Sequence, residues 1–338
     1  CMKLEQRQWT QAAGWTPSSA RALKDAAQLV LVFGGTAILG DRQRLQELRA
    51  AYPKAHLFGC STAGEICGTR VADDSMVATA VQFDSTTIAL AHVDIADCAG
   101  SREAGERLAK ALDPKGLVHA MVLSDGQRVN GSELVLGMTT SLPRGVVVTG
   151  GLAGDGTRFK RTVVCVDGGA GEGKVGVLGL YGARLKVGYG SLGGWDPFGP
   201  DRLITRSKGN VLYELDQQPA LALYKKYLGE QAAGLPATGL LFPLCVRSAD
   251  GSQEVVRTIL AVNEQEQSMT FAGDVPQGAY ARLMKANFDR LIDGAHGAAT
   301  TSSQALASSS PELAILISCV GRKLVLKQRT EEEVEAVR

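Results

Sequence analysis

The sequence predicts an α/β to α+β fold with layered, mixed sheets and helices packed outside them. Three observations carry the prediction. In the first half, short apolar runs such as 29–33 alternate with amphipathic stretches such as 41–51. From residue 162 onward the pattern turns to short strands separated by glycine clusters. No segment repeats at a fixed period, which argues against a solenoid.

The chain has 338 residues, which at roughly 150 residues per domain suggests about two domains. Hydrophobic residues make up 45% and charged residues 21%, a globular rather than a disordered composition. The 36 basic and 35 acidic side chains leave a net charge of +1. That balance gives no global reason to expect nucleic acid or an anionic membrane as a partner. Aromatics at 5% also argue against stacking platforms for single strands. No apolar run approaches the roughly 18 residues a membrane span needs, and residues 1–17 lack the apolar core of a signal peptide. The seven cysteines form no Cys-x-x-Cys pair, which suits reduced thiols of a cytoplasmic protein and not a zinc site of the usual spacing. Cys1 precedes Met2 and reads as an addition to the natural start.

Taken in order, Ser18 or Ser19 is expected to cap a short helix ending at Ala27, and 29–33 reads as a buried strand. The spacing of Leu45 and Leu48 predicts a helix over 41–51, ended by Pro53. Residues 56–59 follow as a second strand, parallel to the first by the β-α-β rhythm. Segments 77–83 and 87–95 look like an antiparallel pair around Asp84-Ser85. A helix over 101–112, a strand over 116–123, a helix over 133–140 and a strand over 145–149 come next. Strands are expected at 163–166, 175–181 and 185–189. Hairpins are expected from 203–206 with 211–215, and from 254–262 with 268–271. Helices are read at 219–228 and 279–291, with a Ser/Ala-rich helix or linker at 300–310. A last buried strand at 314–318 precedes a charged terminal helix at 330–338.

The sharpest segment is Gly59-Cys60-Ser61-Thr62-Ala63-Gly64-Glu65-Ile66, which follows a strand. Small residues carrying hydroxyl, thiol and backbone N–H groups there can line a pocket, where parallel strands place ligands. A nucleophilic Cys60 or Ser61 would need an adjacent base, and the plain alternative is a packed turn. Ser124-Asp125-Gly126 and Asn130-Gly131-Ser132-Glu133 end a strand and open a helix, with Asn130 or Ser132 as its cap. The segment Thr149-Gly150-Gly151-Leu152-Ala153-Gly154-Asp155 also ends a strand. It has neither a dinucleotide fingerprint nor a P-loop lysine, so nucleotide hydrolysis is rejected. In the C-terminal half, Arg257 and Arg322 each offer a planar donor fork for a carboxylate or phosphate, or a structural ion pair. Of the four histidines, His56, His92 and His119 belong to apolar strands and His296 sits near a helix end. They form no hydrolytic metal motif, yet one His suffices for axial haem ligation.

Several segments together resemble the FIST (F-box and intracellular signal transduction) sensory-domain family. These are Gly59 to Ile66, Gly150 to Asp155, Gly209-Asn210 with Glu214-Leu215-Asp216 and Pro219-Ala220, Phe271-Ala272-Gly273-Asp274-Val275-Pro276-Gln277-Gly278, and Ser318-Cys319-Val320-Gly321-Arg322. The resemblance implies two FIST regions in a stand-alone form. The expected division is an extension at 1–28, a FIST N-terminal region at 29–219, a FIST C-terminal region at 220–328 and a charged terminal helix at 329–338. It implies a cytoplasmic sensor that binds an amino acid or other small metabolite. It also implies a separate signalling partner, such as a histidine kinase or a cyclic-di-GMP enzyme, since no such module fits after residue 328. The oligomeric state stays open.

The expected ligand-binding residues are Cys60, Ser61, Thr62, Gly64, Glu65, Gly150, Gly151, Asp155, Arg257, Cys319 and Arg322, converging on one cavity. Two alternatives stand beside this non-enzymatic reading. One is a haem-binding nitric-oxide sensor, through His92 or His296. The other is a thiol or hydroxyl acyl-transfer enzyme at Cys60 or Ser61.

Overall fold

The run 29–33 is apolar at every position because both faces of its strand are covered. It belongs to the computed structural model described here, which covers residues 2–18, 22–167, 169–307 and 309–338. Cys1 and the possible cap Ser19 lie outside these described residues, as does Ser308 within the expected 300–310 segment. The chain divides into two compact units. The first holds residues 1–129, 134–189 and 300–317, the second 130–133, 190–299 and 318–338.

The first unit carries β1 (Met2–Thr10), β2 (Gly14–Thr16), β3 (Leu29–Gly34), α1 (Thr36–Leu39), α2 (Arg42–Ala51), β4 (His56–Ser61), β5 (Glu65–Cys67), β6 (Arg70–Ala72), β7 (Ser75–Phe83) and β8 (Thr87–Asp94). It continues with α3 (Ser101–Lys110), β9 (Leu117–Ser124), α4 (Gly131–Ser141), β10 (Val147–Leu152), β11 (Val164–Val166), β12 (Gly169–Gly171) and β13 (Lys174–Tyr181). The first turn of α4, Gly131 to Glu133, belongs to the second unit.

One sheet runs β12-β11-β4-β3-β7-β1-β2, and a second runs β10-β9-β13-β8. Two pairs in these sheets are parallel, β3 with β4 and β9 with β10. Strand periodicity then sorts the side chains into layers. Val30, Val32 and Leu57 face Leu45 and Leu48 of α2. Leu29, Leu31, Phe58 and Cys60 face Met121, Leu123 and Leu178 across the gap between the sheets. Ala120, Val122, Val175 and Val177 meet Leu108 of α3 and Met138 of α4. The unit is therefore a helix–sheet–sheet–helix sandwich. Each fully buried Leu or Val in it contributes about 1.5–3 kcal/mol. Gly59 is required where β4 passes β3, because a Cβ there would lie 1.6 Å from the Val32 carbonyl oxygen.

The second unit carries β14 (Trp195–Pro197), β15 (Arg202–Lys208), β16 (Val211–Leu215), β17 (Gln218–Pro219), α5 (Ala220–Leu228), β18 (Leu244–Arg247), β19 (Glu254–Arg257), β20 (Ile259–Asn263), β21 (Ser268–Phe271), β22 (Tyr280–Ala286), α6 (Phe288–Ala305), α7 (Val320–Leu326) and α8 (Thr330–Glu335). The last turns of α6, from residue 300, belong to the first unit. The strand path β19-β18-β22-β15-β16-β21-β20 encloses a core in which Leu221 and Tyr224 of α5 pack on Ile204, Met269 and Phe271.

Several expected elements form differently. Strands β7 and β8 do not pair with each other. β7 lies between β3 and β1, and β8 pairs with β13 in the other sheet, so the Asp84-Ser85 link crosses between sheets. Among the described residues between Ser18 and Ala27, the one helical element is a single 3-10 turn, Lys24–Ala26. Segment 279–291 is not one helix. Its first part is β22, whose buried Ala281 and Leu283 alternate with Arg282 and which pairs with β14, β15 and β18. Here tertiary pairing overrides the helix propensity of Ala, Arg, Leu, Met and Lys. The expected strand over 254–262 divides at Thr258, with β19 on β18 and β20 on β21. Residues 185–189 and 314–318 form no strand, and Ile315 and Ile317 are 42% and 57% exposed.

Candidate functional site

The parallel strands β3 and β4 deliver their carboxyl ends to the same place, and the loop after β10 joins them there. Ser61, the last residue of β4, donates its hydroxyl to the Gly154 carbonyl at 2.8 Å and accepts from the Val163 amide at 3.0 Å. The Gly154 amide in turn donates to the Ser61 carbonyl at 2.8 Å. The loop 62–64 is half-buried between them. Gly64 holds φ +147°, a conformation that disfavours any side chain. Gly150 is required on β10, since a Cβ there would lie 1.7 Å from the Val122 carbonyl oxygen.

Two buried carboxylates anchor this cluster. Glu65, only 1% exposed, accepts from the Thr62 hydroxyl at 2.6 Å and from the Ser75 amide and hydroxyl at 3.0 and 2.8 Å. Burial holds its pKa above the ordinary glutamate value, partly offset by those hydrogen bonds. Asp155 is shifted the other way. Burial raises it, but the donors of Arg158, Thr36, Arg161 and Lys160 outweigh burial and hold it below the usual aspartate range. Thr36 donates to its Oδ1 at 2.9 Å, Arg158 Nε donates to the same oxygen at 2.9 Å, and the Lys160 and Arg161 amides reach Oδ2 at 3.3 and 3.1 Å. Buried carboxylates pushed in opposite directions mark a candidate site. Beside Asp155, Arg158, Lys160 and Arg161 are exposed, so the rim on that side is cationic. Arg161 also donates to Glu172 at 2.7 Å.

Eight of the eleven residues expected from sequence thus fall in the first unit: Cys60, Ser61, Thr62, Gly64, Glu65, Gly150, Gly151 and Asp155. Cys60 points away from the loops into the core between the sheets, and burial, with Cys165 nearby, pushes its thiol up to about 12. That is the opposite of an activated thiolate. Arg257, Cys319 and Arg322 belong to the second unit. Arg257 donates to the Asp274 carbonyl at 2.8 Å and to the Ser132 hydroxyl at 3.1 Å, and burial lowers its pKa. Arg322 is buried and fully engaged: it pairs with Glu333, and donates to the Leu291 carbonyl and to the Gly193 carbonyl, the last at 3.1 Å. It holds α7 on α8 rather than offering a free fork. Cys319 is exposed.

Sequence reading missed Thr36, Ser75 and Arg158. The one signal for Arg158 was its place three residues after Asp155, the spacing of a local ion pair. Asp125 and Asn130 act as caps: Asp125 accepts from the Gln127 and Arg128 amides at 2.7 and 3.0 Å, and Asn130 from the Ser132 amide at 3.0 Å.

The residues proposed for haem do not fit that group. His92 and His296 are exposed, and the His296 ring is hydrogen-bonded to the Ala336 carbonyl at 3.1 Å. A haem ligand needs its macrocycle enclosed, and both of these residues stand exposed to solvent. Buried His119 has its Nε2 on Thr149 at 2.8 Å, and burial lowers its pKa. Among the described residues no group of three or more His, Cys, Asp or Glu could hold a metal ion, and no helix is long and apolar enough to cross a membrane. A cavity of about 20 Å³ in the second unit, space for a single water, lies among Phe198, Tyr224, Tyr227 and Leu283, and none of the eleven residues lines it.

The FIST N domain matches residues 28–218 and the FIST C domain residues 220–338. No curated protein matches the chain. Among solved structures, a cyanuric acid hydrolase from A. caulinodans aligns over 85% of this chain and 99% of its own, at 14% identity and a TM-score of 0.28. A likeness of that size supports no structural or functional argument.

Proposed function

From the premise that the chain belongs to the FIST family of small-ligand sensory domains in signal transduction, we propose that it senses a small metabolite with an anionic group at the loops after β3, β4 and β10. Amino acids and small organic acids are the class in mind. The observation that carries this reading is the pair of buried carboxylates, Glu65 and Asp155, in the loops at the carboxyl ends of parallel strands, with the exposed cation Arg158 fixed on Asp155. Arg158 is held on Asp155 at 2.8 Å while more than half of its side chain stays in solvent. It can therefore take a ligand carboxylate on its outer edge without reorganisation. Thr62, Ala63 and Gly64 supply the half-buried wall.

Binding shifts the population of loop arrangements only by its differential affinity for them. The signal then passes to a separate protein, with a histidine kinase or a cyclic-di-GMP enzyme as the expected class. Thermal-shift screening of the full chain against amino acids and organic acids is the test. A ligand present at about 100 times its dissociation constant stabilises by about 2.7 kcal/mol, which is a readable rise in Tm. The rise should disappear in Arg158→Ala. A hit whose effect survives that substitution places the ligand elsewhere, and silence across a broad library defeats the reading.

A further inference from the structure

The segment between α6 and α7 has the chemistry of a strand and the surroundings of a loop. Leu313-Ala314-Ile315-Leu316-Ile317 is rich in β-branched residues, yet Ile315 and Ile317 are 42% and 57% exposed. Among the described residues, none of 310–317 takes part in a backbone–backbone hydrogen bond.

Its path is nevertheless defined at both ends. Glu312 accepts from the Met2 amide at 3.2 Å, and Met2 pairs with Phe83 at the end of the first sheet where β3 begins. Ile317 lies at the other end, its Cγ2 3.2 Å from where a Gly151 Cβ would stand. The carboxyl ends of β4 and β10 are tied through Ser61 and Gly154, and β4 is parallel to β3. The segment therefore runs in the direction of β10. Leu313 already packs on the core between the sheets. β10 is the last strand of its sheet, so its outer backbone groups face no strand.

We propose that residues 313–317 close onto the free edge of β10 as a fifth, parallel strand, and that the unpaired arrangement is the open state of this strap. In a strand, alternate residues share a face. Closure therefore turns Ile315 and Ile317 to the side on which Leu313 packs, removing both from water. On β10 it is Gly151, level with Leu123 of β9, that faces that side and leaves it bare where Ile317 arrives. The strap continues directly into Cys319 and α7, so closing or opening it acts on the chain that leads to the buried Arg322–Glu333 pair.

Hydrogen exchange of the free full-length chain, read by mass spectrometry on peptides covering 311–319 and 146–152, tests the proposal. It needs no ligand, so its failure is separate from failure of the proposed function. An edge strand in a parallel pair bonds with alternate amides. Two amides within 314–317 should therefore exchange about tenfold or more slower than unstructured chain. Ile315→Pro removes one amide and blocks the ladder. It should return the remaining amides of the strap to the unprotected rate, while Ile315→Thr keeps the protection. Unprotected exchange in the wild type overturns the proposal with no variant needed, and protection that survives Ile315→Pro also overturns it.

Discussion

Glu65 offers the most direct check on how the first unit is held together. Its carboxylate takes three hydrogen bonds, two of them from the amide and hydroxyl of Ser75. Replacing it by alanine leaves the buried Ser75 amide unanswered, at about 1–3 kcal/mol, and opens a small cavity costing about 1–2 kcal/mol more. Glu65→Ala should therefore lose about 2–5 kcal/mol. Glu65→Gln keeps an oxygen for Ser75 and can donate to the Thr62 hydroxyl, so it should lose about 1 kcal/mol or less. The pH response separates the two charge states. The folded pKa of Glu65 lies above the ordinary value of 4.5. Between 4.5 and that raised value the folded chain binds more protons than the unfolded one, so stability falls as pH rises through this window. Above it the cost of the buried charge is fully present. Glu65→Gln has no such charge and should flatten the slope. Urea unfolding followed by the fluorescence of Trp9 and Trp15, from pH 4.5 upward, reads both effects. Equal losses in the two variants, or an unchanged slope in Glu65→Gln, refute the argument.

Three further outcomes are expected. Asp155→Asn should destabilise the first unit by about 1–3 kcal/mol, through loss of charge-assisted bonds to Arg158 and to two amides. Because the Asp155 pKa is held low, the wild type should lose this contribution as pH falls below the ordinary aspartate value of 3.8, and urea midpoints at acid pH should show that loss missing from the variant. Arg322→Ala strands buried Glu333 without its partner and should cost about 3–5 kcal/mol, seen as earlier unfolding by Trp195 fluorescence, whereas Arg322→Ala combined with Glu333→Ala should recover part of that loss. Under native conditions a thiol alkylator should label exposed Cys319 and spare buried Cys60; mass spectrometry showing Cys60 labelled first would restore the case for a nucleophile.

The strands of the first unit were legible wherever burial wrote itself into composition. β3 is apolar at Leu29 through Phe33 because α2 covers one face and the second sheet the other, and the helix between it and β4 announced their parallel pairing. What the sequence could not express was the choice of partner. Segments 77–83 and 87–94 have the alternation and the short link of a hairpin, but the first is paired on both sides, with β1 and β3, and the second pairs with β13 along its whole length. Pairing over long sequence separation is decided by the assembled core, not by the local turn. The same holds for Tyr280–Ala286, where good helix formers sit in a strand because three neighbouring strands bond to it.

The candidate site divides along a similar line. The polar turn residues drew notice as ligand groups, and those in the first unit do gather at strand ends, but their first task is to satisfy one another. Ser61 bridges two loops, Glu65 answers Ser75, and Asp155 collects four donors. A buried polar group must find a partner wherever it sits, so residue type alone cannot tell a ligand contact from a loop clamp. Exposure can. Arg322 has almost none left for a ligand, whereas Arg158, bonded to the same kind of carboxylate, keeps its outer edge in water. The difference between them lies in the packing around the ion pair, which places the burden of the sensory reading on Arg158 and removes it from the arginine that the sequence made more conspicuous.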